Sequence, residues 1–253
     1  MICINCGHEV NSEYCANCGQ KNPPKKITLA GLWSDFFARI YGFDGMFPRT
    51  LRDLTLRPGF VTQEYLKGNR VKYYGPVGYF FLMITLYFLI MPLLGFSMDD
   101  LVTSAKITSQ VKPGSNQAKF VQDYVGFITD NIRLFLFFMV VTISLSSYLV
   151  FKKSKLNLLE SSVLPFFAYG HVYWLSILLL VIKNIFHLPL KDAGVPLVQV
   201  AFFAFGCTGL YTYQSKVKVF LKGVLAYFLG FILLIVCMLV TAAVYLLILR
   251  GEA

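Results

Sequence analysis

"PVGYFFLMITLYFLIMPLLGF", residues 76–96, decides the fold. It contains no Asp, Glu, Lys, Arg or His, and as a helix rising about 1.5 Å per residue it reaches across a hydrocarbon core of about 30 Å. Pro76 stands where a helix needs no N–H, and Pro92 predicts a kink near the far end. Reading outward with the same window gives four more apolar runs, at about 134–151, 161–182, 196–213 and 224–249. The fourth is the most diluted, holding Gln199, Gly206, Thr208 and Gly209.

Composition agrees. Hydrophobic residues make up 57% of the 253 and charged residues only 14%, with a mean hydropathy of +0.63. That leaves too little polar surface to cover a soluble domain of this size. The expected fold is an all-α polytopic membrane protein: a five-helix transmembrane bundle over residues 76–253, a juxtamembrane helical region over 23–75, and a small head over 1–22. No apolar leader precedes the first run, so that run is expected to serve as an uncleaved insertion signal.

Basic residues choose the orientation. Five spans put the termini on opposite sides. The chain before residue 76, the KKSK turn (Lys152–Lys155) and the KVKVFLK turn (Lys216–Lys222) together hold sixteen Lys and Arg, against seven on the other side. The positive-inside rule then places the N-terminal head in the cytoplasm and the C-terminus outside. The expected location is the cytoplasmic (inner) membrane. The 97–133 loop falls outside the cell in this reading, and Phe120, Val121, Tyr124, Val125 and Ile128 repeat there at the spacing of an amphipathic helix.

A cytoplasmic head keeps its thiols reduced, which gives "CINCGHEVNSEYCANCG" its meaning. Cys3-x2-Cys6 and Cys15-x2-Cys18 supply two halves of a tetrahedral thiolate set, the pattern of a zinc ribbon. Gly7 and Gly19 follow the second cysteine of each pair, where a positive φ lets backbone N–H groups face the sulfurs. Zn²⁺ is the expected ion, with iron in a rubredoxin-like site as the alternative, since four sulfurs fit both. A closed shell of four cysteines leaves no open position for catalysis. No Lys or Arg lies between Cys3 and Cys18, so nucleic acid is not an expected partner. A protein contact is, including one to the rest of its own cytoplasmic region.

Between head and spans lie two segments. Leu29, Leu32, Trp33, Phe36, Phe37 and Ile40 form one helical stripe, expected to rest on the bilayer or on the spans. Residues 48–76 are punctuated by Pro58-Gly59, Gly68 and Gly75-Pro76, and they carry Arg49, Arg52, Arg57, Lys67, Arg70 and Lys72 against only Asp53 and Glu64. Arg52, Arg57, Lys67, Arg70 and Lys72 are the candidate binding residues for membrane lipids or a protein partner. A solvated collar obeying the topology rule is the plain alternative.

The N-terminal CxNCG…YCxxCGQ ribbon, the block TLRDLTLRPG…EYLKGNRVKYYGPVGYFFL and the following spans together resemble an uncharacterised bacterial membrane-protein family defined by a domain of unknown function. The resemblance covers residues 1–90 by motif and implies that Arg52, Asp53, Leu54, Pro58, Gly68, Arg70, Tyr73 and Pro76 belong to a shared block. It implies no activity. A cytoplasmic head before five spans is also similar, at the level of topology, to Yip-type membrane proteins, which act in membrane organisation and trafficking.

The spans themselves offer little chemistry. None carries an Asp, Glu, Lys or Arg at depth, which disfavours ion-coupled transport. In the third, Tyr169, His171, Tyr173 and Trp174 form a possible intramembrane polar seam, although such a stripe more often only satisfies its hydrogen bonds against a neighbouring helix. Nucleophile-elbow, zincin and phosphate-loop motifs are absent, and Cys207 and Cys237 read as small apolar residues. The expected function is a non-enzymatic membrane adaptor or scaffold whose head engages lipid headgroups or a protein. The alternative is a small transporter or channel with a polar path near the third and fourth spans.

Overall fold

Every regular element among the described residues is a helix, and the two backbone bridges in the head, Ile2 with Glu9 and Tyr14 with Lys21, stand alone. This computed structural model describes residues 1–21, 46–96, 129–186 and 195–251, together with Thr28, Asp123, Gly126 and Phe127. The stripe from Leu29 to Ile40 and the five positions from Phe120 to Ile128 expected to form an amphipathic helix lie outside the described residues.

Among the described residues seven α-helices follow the head: α1 Met46–Leu56, α2 Pro58–Leu66, α3 Pro76–Leu93, α4 Ile132–Val150, α5 Leu158–Phe186, α6 Val195–Leu210 and α7 Lys216–Gly251. Proline sets two of the starts, at Pro58 and Pro76, where the missing N–H costs nothing. Gly68, at φ +106°, turns the chain after α2. α5 begins three residues before the expected Ser161 because Asn157 and Glu160 cap it reciprocally: Glu160 N–H donates to Asn157 Oδ1 at 2.8 Å and Asn157 N–H to Glu160 Oε2 at 2.9 Å. The KVKVFLK segment is the first two turns of α7 rather than a loop.

Among the described residues three helices are long and apolar enough to cross a membrane: α3, α5 and the Lys216–Ala242 part of α7. The apolar parts of α4 (Leu134–Val150) and α6 (Leu197–Leu210) are shorter. Large apolar side chains face outward along these helices, for example Leu134, Phe138, Val141, Leu145 and Leu149 on α4. Such a stripe suits lipid and would be a liability in water.

Small residues and hydroxyls let the helices meet closely. Ser146 Oγ donates across to the Ala226 carbonyl at 2.5 Å, joining α4 to α7. α3 and α5 run parallel, with Gly170 against Tyr79 and Phe80 at one end and Asn184 Nδ2 donating to Leu94 O at the other. The first two turns of α5 therefore extend beyond the start of α3, since Phe166 already meets Phe80. There α1 and α2 pack into the bundle: Tyr65 meets Phe167 edge to face, and Gly59 lies against Gly206 and Gly209 of α6. The punctuated block is thus part of the core, with Leu54, Val61, Thr62, Tyr65, Tyr73 and Tyr74 buried.

Candidate metal centre and its dock on the helical block

The head is one motif used twice. In the first knuckle Cys3 N–H donates to His8 O at 2.9 Å and Gly7 N–H to Cys3 O at 2.9 Å. The second knuckle repeats this with Cys15 to Gln20 and Gly19 to Cys15, both at 2.8 Å. Gly7 and Gly19 sit at φ +73° and +71°, and a Cβ at either would meet nothing within 4 Å. Glycine is required there by conformation and not by crowding.

The two knuckles close on each other. Cys3 Sγ lies 3.6 Å from Cys18 Sγ, and Cys6 Sγ 3.6 Å from Cys15 Sγ, while all four sulfurs fall within 4.8 Å of one another. A disulfide needs about 2.05 Å. Four sulfurs at about 2.3 Å from one ion form a tetrahedron with edges of about 3.8 Å. The four cysteines therefore fit a single metal ion. Further groups face the sulfurs: the His8 backbone N–H chiefly, with the Asn17 amide, holds the Cys6 thiol down to about 6. Burial lifts Cys18 to about 11 against the pull of the Asn5 amide and the Gln20 N–H. Each knuckle's asparagine thus serves the other knuckle's second cysteine, which is the support a metal ligand needs. The repeated C-x-N-C-G carries that signal, and spacing alone missed it.

Gln20, also unmarked by the sequence reading, connects the head to the body. Its side chain is buried, its Nε2 donates to the Gly68 carbonyl, and its Oε1 accepts from the Val71 N–H at 3.3 Å. Because the Gln20 carbonyl also closes the second knuckle onto Cys15, the residue that completes the metal loop is the one that docks it. On the head's surface Met1, Ile2, Ile4 and Tyr14 are exposed.

The loop so held is tied to α1. Tyr73 Oη donates to the buried carboxylate of Asp53 at 2.9 Å, and Tyr74 N–H donates to Thr50 Oγ1 at 2.9 Å. Arg52 reaches Asp53 at 3.0 Å and Arg57 at 3.8 Å. Burial opposes ionisation of Asp53, but the Tyr73 hydroxyl, then Arg52 and then Arg57, outweigh it and hold the carboxyl below its ordinary range.

The five basic candidates divide accordingly. Arg52 and Arg57 bracket Asp53, and Lys67 pairs with Glu64 at 3.6 Å, all three with side chains more than half exposed. Arg57 and Lys72 both lie over Phe60, at 4.7 and 5.9 Å, and Arg70 over Tyr65 at 5.8 Å. The charged groups of these three thus lie within cation–π range of aromatic rings.

The four seam residues of α5 separate. Tyr169 stacks on Tyr227 of α7, Tyr173 meets Phe80 and Tyr87 of α3, and Trp174 is half-buried against the core. His171 is fully buried, 2.9 Å from Tyr79 Oη at Nδ1 and 3.0 Å from Thr55 Oγ1 at Nε2, with Phe202 stacked on its ring. Thr55 gives its one hydrogen to the Leu51 carbonyl at 2.9 Å. His171 therefore donates from Nε2 and accepts the Tyr79 hydroxyl at Nδ1, so every hydrogen has an acceptor. The histidine is a junction of α1, α3, α5 and α6.

Fold and site define a class: a protein whose described residues are helical, include three helices able to span a membrane, and carry a four-cysteine group able to bind a metal. Within it, residues 44–88 match the model of a family described as a protein of unknown function (DUF3667). Those residues cover α1, α2, the docked loop and most of α3. No curated protein and no solved structure matches the chain.

Proposed function

We propose that this protein is a non-enzymatic scaffold of the cytoplasmic membrane, with five spans and a zinc-stabilised head on the cytoplasmic side that presents a surface to a protein partner. The observation that carries the reading is the dock at Gln20: one side of the head is held on the helical block while Met1, Ile2, Ile4 and Tyr14 stay exposed. An all-thiolate shell suits a structural zinc, with iron as the second fit. The exposed heads of Arg52, Arg57 and Lys67, on the block that carries the dock, suit anionic lipid headgroups.

Two features support the topology. The turns carrying Lys152, Lys153 and Lys155 and Lys216, Lys218 and Lys222 meet at one end of the bundle, where Phe151 stacks on Tyr211 at 3.9 Å. A cytoplasmic face collects such lysines. α6, with 16 residues, reaches only about 24 Å, short of a core of about 30 Å. α2 covers its deficient end, with Gln63 Nε2 donating to the Leu210 carbonyl at 3.1 Å. The transporter reading loses its main residue, because both ring nitrogens of His171 are engaged within the protein.

A photo-crosslinking residue at Ile2, in cells, tests the scaffold. A discrete adduct is expected, lost when Cys3 and Cys15 are replaced by serine. No adduct, or solute or lipid flux through the reconstituted protein, rejects the reading.

A further inference from the structure

The turn between α6 and α7 contains a notch of about 440 Å³ lined by Gln214, Ser215, Lys218, Leu221 and Lys222. Its chemistry is unbalanced. Lys218 and Lys222 are one helical turn apart, so both ammonium groups reach the same point in front of the helix. Among the described residues neither has an acidic partner, and the first turn of α7 contains no acid. Lysines at the positive end of a helix dipole destabilise it unless an anion offsets them. The neighbouring turn adds Lys152, Lys153 and Lys155, brought alongside by the Phe151–Tyr211 stack.

Two further observations narrow the ligand. Gln214 lines the notch and its Oε1 has no donor within the protein, so an occupant toward which the amide turns to complete the site brings an O–H or N–H as well as negative charge. From the notch an exposed apolar stripe runs along α7 through Leu221, Leu225, Phe228 and Ile232, at the spacing of one helix face. A free anion has no use for that stripe, whereas an acyl chain does.

We infer that this notch seats the headgroup of an anionic glycerophospholipid bearing a hydroxyl, the chemistry of phosphatidylglycerol. Lys218 and Lys222 hold the phosphate, a glycerol hydroxyl donates to Gln214 Oε1, and an acyl chain lies along Leu221 to Ile232. The site is distinct from the head and from the Arg52–Lys72 block, and it does not depend on the scaffold reading.

The test is native mass spectrometry of the full-length protein released from nanodiscs of equal phosphatidylglycerol and phosphatidylcholine. Lys218→Gln with Lys222→Gln is expected to lower retained phosphatidylglycerol at least fivefold. Lys152→Gln with Lys153→Gln, the same loss of charge at the same end, is expected to change it less than twofold. Gln214→Leu is expected to weaken phosphatidylglycerol while sparing phosphatidylmethanol, which has the charge without the hydroxyl. Equal losses from the two lysine pairs mean a diffuse charge effect and overturn the site. Displacement of the lipid by millimolar glycerophosphoglycerol, the headgroup without chains, overturns the assignment to a lipid. All four lysines have exposed or half-exposed side chains, and an unchanged melting temperature in each pair confirms that folding is not being read.

Discussion

Replacing Gly59 by alanine probes the least expected contact in the fold, the burial of α2 against α6. A Cβ at residue 59 would lie 2.4 Å from the Gly206 carbonyl oxygen and 2.5 Å from Gly209 C and Cα. Comfortable contacts begin near 3.5 Å, so α2 must retreat by about 1 Å, because backbone atoms cannot rotate out of the way. That retreat stretches the 3.1 Å bond from Gln63 to the Leu210 carbonyl beyond useful range. Overpacking costs about 1–3 kcal/mol and the bond about 1 kcal/mol. A loss of about 2–4 kcal/mol corresponds to a fall in Tm of about 4–16 °C for a chain of this size. Gly206→Ala is the internal comparison. Its Cβ meets the Leu164 methyl Cδ1 at 2.8 Å, a side-chain end that can turn aside, so less than half the effect is expected. Thermal unfolding in detergent, followed by size-exclusion chromatography of the surviving folded protein, measures both. A Gly59→Ala protein within 2 °C of wild type, or a Gly206→Ala protein hurt more, would refute the packing of α2 on α6.

Elemental analysis of protein purified without chelator is expected to show one metal ion per chain, lost on replacing Cys3 and Cys15 by serine. Gln20→Ala should keep the metal yet expose the chain at Lys67 and Arg70 to trypsin, since it removes only the dock. Asp53→Asn is expected to lower Tm at pH 7. The folded pKa of Asp53 is depressed, so its contribution is present above the unfolded value near 4 and is lost as pH falls through the folded one; the gap between wild type and Asp53→Asn should close in acid below about pH 4. Tyr79→Phe leaves the buried Nδ1 of His171 without a donor, at about 1–3 kcal/mol. Adding His171→Phe should cost less than the sum of the two single changes, as denaturation of each variant would show.

Periodicity, length and spacing along the chain were enough to determine which segments are helical and apolar, because lipid demands long uncharged runs and thiolate ligation demands paired cysteines at fixed offsets. The residues 76–96 became α3 from their first proline, and the four cysteines came together with both glycines at positive φ. Contacts between distant segments left no such trace. Gln20 and Gly68 are 48 residues apart, Thr55 and His171 are 116 apart, and nothing local in either partner specifies the other. The block from Pro48 to Pro76 read as a charged collar because its basic residues are conspicuous and its buried face is short. Only the tertiary structure turned that face inward: α5 outruns α3, α6 is too short to cover the gap, and the exposed polar backbone and apolar surface left there is satisfied by α1 and α2. The same stagger placed His171 at a junction of four helices and separated it from the tyrosines that precede and follow it in the sequence.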